Sequence, residues 1–209
     1  MTAPSSPPLD SDVALKALRK VLRARRRGVP KVERKRAALQ LARAVERSGW
    51  LRPGRRIGLY LPLAEEIDTQ PLLDLALQHR CRIFVPRVTD YRRHRMQFLP
   101  HDGTLQRGRY GILEPRGGIA RSARSLDVIF LPLVGFDAQG NRVGMGKGYY
   151  DRALAFLHHR RSWRRPVLVG LAFACQQVDT LPVRAHDVPL DHIVTEAGRR
   201  RFIRPRPFT

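Results

Sequence analysis

Cysteine is scarce in this chain, which has only two among its 209 residues. Cys81 and Cys175 lie too far apart to form a CxxC metal or redox motif, and each falls inside an apolar stretch. This pattern predicts two buried, reduced thiols in a cytoplasmic protein. The adjacent His158 and His159 could suggest a metal site, but neighbouring residues of a helix point in different directions, so we expect a surface pair.

Long apolar runs are also absent. The longest, VIFLPLVGF at 128–136, is far shorter than the roughly 20 apolar residues that a membrane-spanning helix needs. The first twelve residues, MTAPSSPPLDSD, have neither the basic start nor the apolar centre of a signal peptide. We therefore expect no membrane segment and a disordered leader over residues 1–11.

Acidic residues are few compared with basic ones. The chain has 18 Asp and Glu against 40 Lys and Arg, which gives a formal net charge of +22. Much of this charge lies between Val13 and Arg36, where Glu33 is the only acidic residue, and a second cluster of arginines follows Arg199. Such a field attracts polyanions without selecting among nucleic acids, nucleotides and polyglutamylated substrates.

Apolar residues make up 43% of the chain, which is enough for one globular core. We expect a single domain over residues 12–198, followed by a basic tail over 199–209. Helical spacing of apolar residues predicts two basic helices, at 12–27 and at 30–47, ahead of that core.

Beyond these helices, short apolar runs alternate with helical patterns. The predicted strands are 55–62, 81–86, 126–136, 165–173 and 190–196, with RMQFLP at 95–100 as an outer strand. The predicted helices between them follow Thr69 and cover YYDRALAFLHH at 149–159. This order predicts a three-layer α/β/α fold with a mostly parallel central sheet.

The stretch GNRVGMGKGYYD, residues 140–151, carries the strongest chemical signal. It is not a Walker loop, because Asn141 takes the place of the first glycine and Gly148 that of Ser or Thr. The dinucleotide pattern begins at Gly144 and fails at Tyr149. The stretch nevertheless follows a predicted central strand and runs into a helix, where ligands of α/β sheets and anions bind.

The residue types of this stretch suit a phosphate. Its glycines would let backbone amides approach phosphate oxygens closely, and Arg142 and Lys147 would supply positive charge. Asp151 would supply an oxygen ligand for Mg²⁺. The alternative is a tight glycine-rich turn in which Asp151 caps the helix and the two tyrosines pack.

The longer stretch LPLVGFDAQGNRVGMGKGYYDRAL resembles the signature of the 5-formyltetrahydrofolate cyclo-ligases, also called methenyltetrahydrofolate synthetases. Weaker likenesses follow in the family's order: LRKVLRARR, LYLPLAEEIDT, YGILEP, and LAFACQQVDTLPVRAHDVPLDHIVTE. The resemblance implies an enzyme that converts 5-formyltetrahydrofolate, including its polyglutamylated form, to 5,10-methenyltetrahydrofolate, with ATP as co-substrate and Mg²⁺. ATP would phosphorylate the formyl oxygen, and N10 would then close the ring.

The resemblance also implies roles for individual residues. The ATP-phosphate loop would comprise Arg142, Val143, Gly144, Met145, Gly146, Lys147, Gly148, Tyr149 and Tyr150. Lys147 and Arg142 would be catalytic. The magnesium ligands would be Asp151 and Asp187, and the folate contacts would be Leu61 and Glu66. Without the resemblance, Asp187 is a turn aspartate, Glu66 a loop carboxylate and Leu61 the end of a strand.

The amino-terminal match is less regular. Family members carry Lys-x-x-Leu-Arg, whereas Leu15 takes the lysine place here and Lys16 precedes Leu18-Arg19 at a shorter spacing. Arg19 is the stronger candidate for a nucleotide contact, and Lys16 can equally belong to a solvated basic face. Tyr110 and Gln176 match family positions near the site without an assigned role.

A nucleic-acid-binding protein is the alternative function, with the basic helices lying on phosphates. These helices lack interleaved aromatic residues, and the chain has no helix-turn-helix, zinc or RNA-binding signature, so we expect at most nonspecific binding. A third possibility, another sugar-phosphate or coenzyme A activity, would rest on fold analogy alone. We expect a cytoplasmic monomer.

Overall fold

The structure is a computed structural model that describes residues 10–108, 113–158 and 165–203. Its helices are α1 (Asp10–Arg27), α2 (Lys31–Glu46), α3 (Gln70–Gln78) and α4 (Tyr149–Leu154). Its strands are β1 (Arg56–Gly58), β2 (Arg82–Asp90), β3 (Arg95–Pro100), β4 (Leu105–Arg107), β5 (Leu113–Pro115), β6 (Val128–Pro132), β7 (Gly135–Phe136), β8 (Arg142–Val143), β9 (Val167–Leu171), β10 (His192–Thr195) and β11 (Gly198–Arg201).

Seven of these strands form one sheet, in the order β11-β10-β9-β6-β1-β2-β3. The five inner strands run parallel, and the outer strands β3 and β11 are antiparallel to their neighbours. The predicted βαβ unit is present as β1, α3 and β2, and RMQFLP is the outer strand β3. The predicted mostly parallel α/β fold is therefore confirmed.

The core occupies both faces of the sheet. Val128 and Phe130 of β6 belong to the apolar cluster that includes α2 and α3, whereas Ile129 and Leu131 belong to the cluster that includes α4. This alternation arises because successive side chains of a strand point to opposite faces. All four are completely buried, so β6 is the central strand of a three-layer arrangement.

The predicted strand at 126–136 is too long. β6 ends at Pro132, and the chain then forms a separate hairpin of β7 and β8. The buried Gln176 donates hydrogen bonds through Nε2 to the carbonyls of Leu133 (2.8 Å) and Val134 (3.0 Å). These carbonyls are thus satisfied by a side chain, which lets the chain turn away from the sheet. The predicted strand at 55–62 is likewise reduced to Arg56–Gly58.

Several predicted boundaries also shift. Gly198–Arg201 pairs with β10 as an edge strand, so the sheet extends into the residues predicted to be a basic tail. Helix α1 begins at Asp10, inside the predicted leader. Residues 1–9 and 204–209, Tyr110 and His159 lie outside the described residues.

Two further predictions concern exposure. Cys81 is buried as predicted, but the prediction for Cys175 is wrong, because this residue is exposed on a 3₁₀ turn after β9. His158 is exposed. None of the described helices has both the length and the apolar character needed to cross a membrane.

Candidate active site

A cleft of about 500 Å³ lies at the carboxyl ends of β1, β2 and β6. This is the edge at which ligands of open α/β sheets bind. Its other walls come from α1, the β7–β8 hairpin and the loop that contains Pro182 and Asp187.

Almost all of the predicted site residues meet in this cleft. Those that line it are Arg19, Leu61, Glu66, Arg142, Val143, Gly144, Met145, Gly146, Lys147, Gly148, Tyr149, Tyr150, Asp151 and Asp187. Lys16 is exposed on α1 and does not line the cleft. Of the two alternatives on this helix, the structure therefore brings Arg19 to the site and leaves Lys16 at the surface.

The β7–β8 hairpin positions the glycine-rich loop. Its turn is organised by the buried Asp137, whose carboxylate accepts hydrogen bonds from the backbone and side-chain nitrogens of Asn141 at 2.9 and 2.8 Å. Helix α1 packs tightly against the hairpin, because a Cβ on Gly135 would lie only 2.4 Å from Leu22. The loop thus leaves a rigid hairpin and not, as predicted, the end of the central strand itself.

Two of the loop glycines have backbone conformations that favour glycine. Gly146 and Gly148 have φ of 93° and 67°, and a Cβ on Gly148 would lie 2.7 Å from Nη1 of Arg152. Helix α4 begins directly after Gly148 but is only six residues long, so its dipole contributes little. Most of the positive charge near the loop therefore comes from side chains.

Arg19 is one of these positive side chains. Its Nε donates a hydrogen bond to the carbonyl of Gly144 at 2.9 Å, which ties α1 to the glycine-rich loop. Partial burial lowers the pKa of Arg19, and the nearby positive charge of Arg184 lowers it further. An anionic ligand between these guanidinium groups would relieve their repulsion.

Arg142 and Asp151 form an ion pair across the loop. Arg142 has only 4% of its side chain exposed, and its Nε has no hydrogen-bond partner among the described residues. A buried guanidinium with an unused N–H is suited to an oxyanion ligand. The carboxylate of Asp151 is thus already paired with a positive charge, the guanidinium of Arg142.

Asp187 also lines the cleft, and its Oδ2 accepts a hydrogen bond from the Arg184 backbone N–H at 2.8 Å. No group of three or more His, Cys, Asp or Glu residues suited to a metal ion occurs in the described part of the chain. Mg²⁺ commonly takes only one or two carboxylates and completes its shell with phosphates and water. Asp151 and Asp187 fit that donor set.

Glu66 occupies another part of the cleft. Its Oε2 accepts a hydrogen bond from the Leu63 backbone N–H at 3.0 Å, and Oε1 lies 3.9 Å from Nη1 of Arg26. Burial raises the pKa of Glu66, whereas the hydrogen bond from Leu63 and the charge of Arg26 oppose this rise. The carboxylate is therefore desolvated yet retains a partner for its charge.

Residues 12–196 match the model of the 5-formyltetrahydrofolate cyclo-ligase family. The chain belongs to this family. It is 35% identical over 149 residues to the 5-formyltetrahydrofolate cyclo-ligase of Haemophilus influenzae, covering 68% of this chain and 76% of that protein. The Mus musculus cyclo-ligase is 31% identical over 192 residues, covering 88% of this chain and 94% of the mouse protein.

A solved structure agrees with this family membership. The Aquifex aeolicus 5,10-methenyltetrahydrofolate synthetase matches the fold with a TM-score of 0.77 at 29% identity, covering 93% of this chain and 96% of that one. The resemblance of the glycine-rich stretch to a cyclo-ligase signature is therefore confirmed. The roles of the individual residues stay predictions.

The sequence did not predict that Arg26, a residue of α1, is buried. Arg26 was counted with a basic helix, but only 1% of it is exposed. It lies four residues after the buried Leu22, which itself lies seven after the buried Leu15. Helical spacing therefore indicates that Arg26 lies on the inner face of α1. A charged residue at such a position is normally expected to be exposed, so the spacing alone did not lead to this prediction.

Two tyrosines line the cleft near Glu66. Burial raises the pKa of Tyr150 and of Tyr60 well above the usual value, and the negative charge of Glu66 raises both further. Their hydroxyls therefore stay protonated and can donate hydrogen bonds. Gln176, by contrast, does not line the cleft and acts on the backbone after β6.

Proposed function

We propose that the protein cyclises 5-formyltetrahydrofolate to 5,10-methenyltetrahydrofolate, with ATP converted to ADP and phosphate. The observation that carries this proposal is one continuous cleft that joins the basic glycine-rich loop to the desolvated carboxylate of Glu66. The first feature suits a triphosphate, and the second suits the N–H groups of a pterin. Family membership supports the same reaction.

The reaction balances with these two substrates. The formyl oxygen attacks the terminal phosphorus of ATP, and ADP leaves. N10 then attacks the formyl carbon and loses its proton, and the lone pair of N5 expels phosphate. The formyl oxygen thus departs on phosphate, and the carbon bridges N5 and N10.

The protein would mainly position the substrates and neutralise charge, as in other phosphoryl transfers. Lys147 and Arg142 would bind the oxygens of the transferred phosphoryl group, and Arg19 would bind the remaining phosphates. Asp151 and Asp187 would hold Mg²⁺, which neutralises phosphate charge when bound. Glu66 would orient the pterin, and Leu61 would contact it.

The contacts of α1 favour this function over nucleic-acid binding. Three of its basic side chains have partners within the protein: Arg19 bonds to Gly144, and Arg23 and Arg26 pair with Glu65 at 2.7 and 3.0 Å. These three charges already have partners around the site and are therefore less available to an external phosphate backbone. A cytoplasmic location, a monomeric state and binding of polyglutamylated folate stay predictions.

The experiment is a spectroscopic assay with purified protein, Mg²⁺, ATP and 5-formyltetrahydrofolate. We expect the absorbance of methenyltetrahydrofolate to appear and to require ATP. A folded protein that produces no such absorbance would refute the proposal. Product formation without ATP would refute the phosphorylation step.

A further inference from the structure

Strand β5 places a second buried carboxylate in the cleft. Glu114 lies in β5, which pairs with β4, and the residue is only 8% exposed while lining the cleft. No described residue donates a hydrogen bond to its carboxylate or forms an ion pair with it. Glu66, in contrast, has both the Leu63 N–H and Arg26.

The buried carboxylate of Glu114 is expected to need hydrogen-bond donors from a ligand. Burying a charged group costs several kcal/mol unless a partner compensates it, so buried carboxylates are normally paired or hydrogen-bonded. The carboxylate of Glu114 reaches the cleft, and nothing else among the described residues satisfies it. The missing donors are therefore expected from the molecule that fills the cleft.

The surroundings of Glu114 indicate the chemistry of that molecule. The neighbouring lining residues of β2, β3 and β5 are mainly apolar: Val85, Pro86, Val88, Met96 and Leu113. The cationic residues Arg19, Arg142 and Lys147 belong to α1 and to the glycine-rich loop. An apolar wall with a single acceptor suits a flat heterocycle that carries N–H groups and does not suit a phosphate chain.

We propose that Glu114 is a substrate-binding residue that accepts N–H hydrogen bonds from the reduced pterin ring of the folate. This inference rests on the proposed function and adds to it a second recognition point besides Glu66. The reduced pterin offers an amino group and ring N–H groups, and a carboxylate can accept two such donors side by side. Adenine also carries an amino group, so the test separates the folate from the nucleotide.

Gly108 offers an independent way to perturb the same carboxylate. A Cβ at this position would lie 2.7 Å from the carboxyl carbon of Glu114 and 2.9 Å from Oε1. Gly108→Ala therefore displaces the carboxylate while leaving its chemistry intact. Gln106, directly opposite Glu114 in the hairpin, is exposed and does not line the cleft, so Gln106→Ala is the matched control.

The experiment measures the Kd of 5-formyltetrahydrofolate and of ATP separately by calorimetry, for Glu114→Ala, Glu114→Gln, Gly108→Ala and Gln106→Ala. We expect Glu114→Ala to weaken folate binding by about 10- to 100-fold, the loss typical of hydrogen bonds to a charged group. Glu114→Gln should fall between this variant and the wild type, because its amide keeps one acceptor. Gly108→Ala should also weaken folate binding, whereas Gln106→Ala should match the wild type, and ATP binding should not change in any variant.

Thermal unfolding of the ligand-free variants separates binding from a structural role. A carboxylate that has no partner among the described residues gains no stability from them in the free protein, so Glu114→Gln should leave Tm unchanged or raise it. A lowered Tm with normal folate affinity would overturn the proposal. Unchanged folate affinity in both Glu114 variants, or a loss confined to ATP, would overturn it too.

Failure of the proposed function would look different. In that case the wild type itself would bind 5-formyltetrahydrofolate weakly and form no methenyl product. Failure of the inference about Glu114 would leave wild-type binding and turnover intact, and the variants would resemble the wild type.

Discussion

Arg26→Met tests whether a buried cation of α1 stabilises the part of the cleft that contains Glu66. The guanidinium lies 3.0 Å from Glu65 and 3.9 Å from Glu66, and it donates a hydrogen bond to the Leu133 carbonyl at 3.2 Å. Removing one partner of a buried ion pair typically costs about 3–5 kcal/mol. Glu65 keeps Arg23 at 2.7 Å, so we expect the lower end, about 3 kcal/mol of unfolding free energy.

The unfolding free energy that Arg26→Met loses should be smaller at acidic pH than at alkaline pH. Burial raises the folded-state pKa of Glu66 above its ordinary value of 4.5, and Arg26 opposes this rise. A carboxyl group with a raised folded-state pKa contributes stability that is fully present below that ordinary value and is lost as pH rises through the folded-state pKa. Without Arg26 this pKa rises further, so Arg26→Met should lose less stability at about pH 5 than at about pH 8.

Urea unfolding at both pH values measures this effect, with Arg27→Met as the matched control. Arg27 is adjacent in sequence, but its side chain is 57% exposed and lies 3.9 Å from Glu65, so its loss should stay below about 0.5 kcal/mol. Equal losses in the two variants would refute the reasoning. A larger loss for Arg26→Met at the lower pH would refute it as well.

Two further predictions concern the glycine-rich loop. Lys147→Ala should lower kcat/KM by the equivalent of about 2–4 kcal/mol, the effect of losing a positioned electrostatic donor, whereas Lys16→Ala should retain near wild-type kcat/KM. Similar losses for both lysines would contradict the assignment of Lys147. Gly148→Ala should lower the unfolding free energy by about 1 kcal/mol or more, because φ at this position is 67° and its Cβ would meet Arg152. A Gly148→Ala variant with the same urea unfolding curve as the wild type would contradict the predicted backbone strain at this position.

Apolar runs in the sequence predicted the arrangement of the sheet, because the burial of a strand decides which residues it needs. The apolar run at Val128–Leu131 is a central strand, since a strand buried on both faces needs apolar residues at every position. The glycine-rich stretch departed from both standard nucleotide loops, and that departure favoured the cyclo-ligase signature, now confirmed at the level of the family.

Long-range contacts account for most of what the sequence did not predict. The apolar run beyond Pro132 predicts a continuous strand, but Gln176, more than forty residues away, satisfies the Leu133 and Val134 carbonyls where the strand ends. The charge of Arg26 is typical of a solvated helix face, but Glu65, on a distant loop, pairs with it in the interior. Partners so distant along the chain leave little trace in local spacing.

The fate of the formyl oxygen tests the central claim most directly. Purified protein is given Mg²⁺, ATP and 5-formyltetrahydrofolate that carries a heavy oxygen isotope in its formyl group. The proposed reaction predicts methenyltetrahydrofolate and ADP in equal amounts, with the label in inorganic phosphate. Label released into water, or methenyltetrahydrofolate formed without ADP, would contradict phosphorylation of the formyl oxygen in this cleft.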